Sequence, residues 1–396
     1  MADLKKYDFD RYIERRGTGS MKYDAAPMMK KPDGLIPLWV ADMDFQVPEC
    51  VTEALKERAD HRIFGYSFPE DSYYSAVTDW FSSNFGFNID KKWIVTTPGV
   101  VFALCQAVKA FTEPGDSVIV TKPVYYPFMT SIEENGRKVV NSSLINKDGC
   151  YTVDFNDFEQ KIIENDVKMF ILCSPHNPVG RVWKEEELTK MAEICAKHSV
   201  LVVADEIHCD FVWPGITYTP FANIARKFSE LHCVICTAPS KTFNLAALQC
   251  SNIIIPNDSD RKKFRAAMST NGSFDANVMG LTACRAAYEG GREWLCELKK
   301  YIWNNIEFAD DYIRKNIQQI KMKKPEGTYL LWLDMSGLGM SAEDLDAFII
   351  EKAGLWLDGG SMFGEEGNSF QRINAACRRE TLRQALEQLK NAVYSL

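Results

Sequence analysis

A chain of 396 residues exceeds what one hydrophobic core usually organises, so a large and a smaller domain are expected. With 46% hydrophobic and 25% charged residues the composition is that of an ordinary globular protein, and a formal net charge of −8 gives no electrostatic reason to bind nucleic acid. The charged start "MADLKKYDFDRYIERRG" is no signal-peptide core and no run of about 18 apolar residues occurs, which reads as a cytoplasmic protein without a membrane span.

The first 45 residues are expected to pack beside the smaller domain, with residues 46–288 forming the large one and 289–396 the small one. From about residue 93 to 256 the runs "WIVTT", "SVIVTK", "KVVNSS", "KMFILCS", "VLVVAD", "CVICTA" and "SNIIIP" are apolar on both faces, as strands of a covered, mostly parallel sheet should be. Between two of them, "KEEELTKMAEICAKHS" aligns Leu188, Met191, Ala192 and Cys195 on one helical face, with acids in the first turn and basic residues near the end. The alternation is that of an α/β fold. "CVIC" at Cys233 to Cys236 has the spacing of zinc and redox pairs. No second pair follows, and in a strand the two sulfurs point to opposite faces, so a structural reading is preferred. The other cysteines, twelve in all, are scattered, several inside apolar runs, and fit a reduced interior. Beyond about residue 275 come long helical stretches, the strand "TYLLWLDM", helix-like "SAEDLDAFIIEKAG", a Gly-rich turn "LDGGSMFGEEGNSF" and a last helix, which read as a smaller α+β C-terminal domain.

In open α/β sheets ligands sit beyond the carboxyl ends of the strands, so polar residues directly after strand-like runs carry the functional signal. After "WIVTT" a Pro-Gly turn leads into a helix start at Val100 and Val101, whose free N–H groups suit a phosphate. Tyr125 in "PVYYPF" can lie flat on a ring, and Asn177 offers an amide inside the stiff turn "SPHNPVG". Asp205 follows five apolar residues, where a buried acid is costly without a positive partner. Lys241 stands between two hydroxyls in "CTAPSKTFN". Taken singly, the aromatic reads equally as core and the asparagine as a turn residue. Together they suit pyridoxal 5′-phosphate, with the lysine as its Schiff-base anchor, the aspartate on the pyridine nitrogen, the asparagine on the phenolic oxygen and the helix N-terminus on the phosphate.

The ordered set "SPHNPVG", "ADEIH" and "SKTFN" resembles the fold-type I pyridoxal phosphate enzymes, the aspartate aminotransferase superfamily. More narrowly, "WVADMDF" at Trp39 to Phe45, "FGYS" at Phe64 to Ser67, "SPHNPVGRVW", "DEIH" and "APSKTFNLA" resemble the MalY/PatB-type cystathionine β-lyases, or C–S lyases, over nearly the whole chain. The resemblance implies that Lys241, Asp205, Asn177 and Tyr125 hold the cofactor as above, with Ser240 at its phosphate. It further implies that Arg372 in "FQRINAA" binds the substrate carboxylate, for which its planar fork is suited. Tyr66 in "FGYSFPED" would reach the phosphate of the neighbouring subunit, so a homodimer with shared active sites is implied. Two positions depart from the aminotransferase pattern: Gln249 stands where a phosphate-binding arginine is usual, and His208 where a tyrosine is usual. Both agree with the C–S lyase group; read alone, His208 is equally a histidine bonded to backbone at a strand end. The implied activity is β-elimination from cystathionine, cysteine or a related S-substituted cysteine, giving a thiol, pyruvate and ammonia. The alternative is an aminotransferase of the same fold. A ligand-sensing regulator is disfavoured, since about 35 residues before "LWVADMDF" are too few for a DNA-binding helix-turn-helix.

Overall fold

The computed structural model describes residues 7–272 and 276–396. Its centre is a seven-stranded sheet in the spatial order Ile94–Thr97, Ser251–Ile254, Cys233–Thr237, Leu201–Asp205, Val167–Cys173, Ser117–Val120 and Lys138–Asn141. Strand Ser251–Ile254 runs antiparallel to both of its neighbours, and the other pairs are parallel. Helices cover both faces, which is why these strands are apolar throughout rather than alternating. One run departs from that expectation. Lys138–Asn141 is the edge strand, with Lys138 exposed and Val139 only partly covered.

Successive residues of the central strands feed two separate core layers. Cys233 and Ile235 pack with one, Val234 and Cys236 with the other. The two "CVIC" sulfurs therefore lie on opposite faces of the sheet, each buried in hydrocarbon. Helix Glu185–Lys197 buries Leu188, Met191, Ala192 and Cys195 against the sheet, and Glu185, Glu186 and Glu187 fill its first turn, where the helix dipole favours negative charge.

A second, antiparallel sheet combines Lys321–Met322, Leu330–Asp334, Phe370–Asn374 and Asp358–Gly359. The long helix Arg292–Asn316 and the last helix Arg379–Tyr394 pack on each other beside it. Among the described residues no helix is long and apolar enough to cross a membrane. The N-terminal segment joins this second sheet region. Ile36–Pro37 pairs in parallel with Leu355–Trp356, and the Trp39 ring stacks on Trp356 at 4.5 Å between centroids. A buried charge cluster holds the following turn: Arg15 bridges Asp42 at 2.6 Å and Asp44 at 2.7 Å, and Lys22, fully buried, meets Asp44 at 3.0 Å. Charges at such depth are tolerated only when paired in this way.

Candidate active site

The loops after five strands of the large sheet meet the N-terminal segment and the second sheet around one cavity of about 450 Å³. Asp205 ends its strand, and Lys241 lies one short helical turn, Pro239–Thr242, beyond Cys233–Thr237. Asn177 sits in the turn that follows Val167–Cys173. That turn packs closely on residues 325–327: Gly180 has φ +72°, and a Cβ there would lie 2.5 Å from Pro325 Cβ, so only glycine fits. Tyr125 opens the loop after Ser117–Val120, and Val100 and Val101 begin the helix Val100–Phe111, whose first N–H groups have no carbonyl within the helix to bond. Ser240, His208, Gln249, Asp358 and Arg372 also line it.

Tyr66 does not join them. It is fully exposed and borders a different cavity, of about 340 Å³, with Arg58 and Tyr73.

The electrostatics of the cavity are those of groups held ready for proton transfer. Lys241 Nζ donates to the Ala41 carbonyl at 2.8 Å. Burial lowers its ammonium to about 8; Asp42 and Asp205 oppose that and Arg372 adds to it. Asp205, 4% exposed, accepts the Ile207 N–H at 3.1 Å. Burial raises its carboxyl to about 7, against the pull of that N–H and of Lys241. His208 is buried too, and burial, then Lys241 and Arg372, push its pKa well below the usual value, so the ring is neutral. Its Nδ1 is buried with no hydrogen-bond partner among the described residues, contrary to a backbone-bonded structural histidine. A buried polar atom left unpaired costs about 1–3 kcal/mol.

Several contributors carry no signal in their own stretch of sequence. Tyr329, buried at the head of strand Leu330–Asp334, donates its hydroxyl to the same Ala41 carbonyl at 2.9 Å and meets the His208 ring edge-on. Asn244 clamps the segment carrying that carbonyl: its Oδ1 accepts Met43 N–H at 3.0 Å, and its Nδ2 donates to the carbonyls of Met43 at 2.9 Å and Phe45 at 3.2 Å. Arg372 donates to Asn177 Oδ1 and pairs with Asp358, whose place in the Gly-rich turn marked it only as a loop residue.

An amine with a depressed pKa, a buried carboxylate short of partners, an amide, a flat aromatic and a helix N-terminus beside a hydroxyl form a donor set that fits pyridoxal phosphate. His208 lines the same cavity. This sheet topology with this set at its carboxyl edge defines a pyridoxal phosphate-dependent protein of fold type I. The chain belongs to the aminotransferase class I and II family, whose profile matches residues 33–389. It is 45% identical to the cystathionine beta-lyase PatB of Bacillus subtilis (strain 168) over 386 residues, covering 98% of this chain and 100% of that protein. Among solved structures it is similar to cystalysin from Treponema denticola, which contains a pyridoxal 5′-phosphate cofactor: TM-score 0.94, 38% identity, with 98% of this chain and 99% of that one covered. The pyridoxal phosphate-bound C–S lyase from Staphylococcus hominis follows at TM-score 0.91 and 33% identity, covering 98% and 99%.

Proposed function

We propose that this chain is a pyridoxal phosphate-dependent C–S β-lyase of the cystathionine β-lyase type, cytoplasmic and homodimeric, that cleaves cystathionine or cysteine-type substrates to a thiol, pyruvate and ammonia. The observation that carries this is that Lys241 and Asp205, carried by adjacent parallel strands, line one cavity with Arg372, in a chain whose similar relatives are named lyases. When bound, the cofactor supplies an electron sink for the pair left on the substrate Cα.

The chain's own residues do the rest. Lys241 anchors the cofactor at rest; freed by the substrate amine, Lys241 Nζ takes the Cα proton, a role suited to an amine whose pKa burial has lowered to about 8. Asp205 would keep a proton on the pyridine nitrogen, Asn177 would bond the phenolic oxygen, Tyr125 would stack on the ring, and His208 would add to the cofactor's contacts. The N–H groups of Val100 and Val101 and the Ser240 hydroxyl take the phosphate. Arg372 holds the substrate carboxylate. We further take residues 46–288 as the cofactor-binding domain and 289–396, with the first 45 residues, as the part that closes over it.

Purified protein incubated with cystathionine and no keto acid is expected to release pyruvate. Turnover that appears only when a keto acid is added would instead make it an aminotransferase. Tyr66, which borders a different cavity of its own chain, is read as serving the partner subunit's site. Mixing inactive Lys241→Ala and Tyr66→Ala subunits should then restore roughly a quarter of wild-type activity, because random pairing gives half heterodimers with one intact site each. No recovery on mixing would mean that Tyr66 does not act on the partner subunit's site.

A further inference from the structure

Arg372 is engaged within the chain itself. Its Nη1 donates to Asn177 Oδ1 at 3.0 Å, its Nη2 to the Trp39 carbonyl at 2.8 Å, and Nη2 also pairs with the Asp358 carboxylate. The last contact is built into the backbone. Asp358 and Arg372 are directly opposed in the antiparallel pairing of Asp358–Gly359 with Phe370–Asn374, so their side chains share one face. Both are buried, and the guanidinium lies 5.0 Å from the centre of the Phe363 ring.

A second carboxylate backs the first. Asp346 accepts a hydrogen bond from Gln371 Nε2 at 2.6 Å and presses on the Asp358 strand so closely that a Cβ at Gly359 would lie 2.5 Å from its Oδ1. The glycine next to Asp358 is what allows this approach. Burial raises the Asp358 carboxyl, Arg372 opposes the rise and Asp346 adds to it. The charged groups lining the cavity are then two cations, Lys241 and Arg372, and two anions, Asp205 and Asp358, with Asp346 behind. With Lys241 committed to the cofactor, Arg372 is the cation left among the described residues lining the cavity, and it already has an anionic partner.

We propose that Asp358 determines which amino acids Arg372 accepts: an α-carboxylate takes its place on the guanidinium by exchange, and a second, side-chain carboxylate is rejected by the anionic pair Asp358 and Asp346. A neutral or zwitterionic side chain passes; an aspartate- or glutamate-like one does not. Discrimination of this kind works through a repulsive element and not through an extra contact. The inference rests on Arg372 being the carboxylate site.

The test is calorimetric binding to the holoenzyme of two carboxylates that lack an amine and cannot react, propionate and succinate. Wild type is expected to bind propionate more tightly than succinate. Asp358→Asn should tighten both and shift the ratio toward succinate by about tenfold, the effect of a like charge about 12 Å away at an effective dielectric of about 20. Asp358→Glu, which keeps the charge, should restore the wild-type ratio. An unchanged ratio in Asp358→Asn overturns the proposal. If that variant does not fold, Asp346→Asn reads the same ratio from outside the cavity, with a smaller shift in the same direction expected and no shift overturning it. Arg372→Ala separates the two readings: if propionate binding survives it undiminished, the assignment of Arg372 itself is wrong, whatever Asp358 does.

Discussion

Lys241→Ala is expected to remove the visible absorbance of the covalently held cofactor and to lower turnover by at least about 10²–10⁴-fold, the contribution of a positioned general base alone. Both losses follow from one atom. Nζ is the amine that anchors at rest and the base that moves the Cα proton, so no other group retains half of the role. His208, the nearest alternative base by type, is held neutral and well below the usual histidine range by burial and by Lys241 and Arg372 themselves. The fold should survive the change, because among the described residues Nζ makes a single hydrogen bond, to Ala41, whose carbonyl keeps the Tyr329 hydroxyl at 2.9 Å. Circular dichroism unchanged, with the visible band gone, is the expected pair of results. A visible band that persists in Lys241→Ala would show that the cofactor is held elsewhere.

What could be read from the sequence is what is local. A polar residue directly after a doubly apolar run marks a strand's carboxyl end, and this alone puts Asp205, Asn177, Tyr125 and Lys241 on one edge of a sheet. Arg372 and Tyr66 have no such local mark. Arg372 lies in a strand of the other sheet, and Tyr66 in an exposed stretch that a single chain leaves outside the cavity; resemblance alone singled them out. The partners that fix the site were illegible for a physical reason. Lys241 meets Ala41 across 200 residues, Arg372 meets Asn177 across 195 and Trp39 across 333, and no periodicity or spacing reports contacts of that range. Asp358 sat in a Gly-rich turn whose glycines explain themselves as backbone geometry, so its carboxylate drew no separate notice. The exposure of the edge strand Lys138–Asn141 is not legible in its residues, because composition does not say which strand is last in a sheet.

Asp205→Asn should produce opposite effects on function and on stability, and the contrast tests its role. An amide cannot hold a proton on the pyridine nitrogen, so turnover with bound cofactor is expected to fall by about 10²–10³-fold, the usual effect of removing one preorganised electrostatic partner. In the cofactor-free protein the same change should stabilise the fold at pH 8. The folded carboxyl, raised by burial to about 7, sits above its unfolded value, so its contribution to stability is fully present below the unfolded pKa and is lost as pH rises through 7. Across that window the cofactor-free wild type gives up on the order of 4 kcal/mol through this one group, since each pH unit between the two values is worth about 1.4 kcal/mol. The asparagine variant has no such slope. Urea unfolding of both cofactor-free proteins at pH 5 and pH 8 should therefore show the variant gaining on wild type as pH rises. Equal slopes would mean that Asp205 is already paired inside the protein, and its carboxylate would then have no reason to wait for a cationic ring.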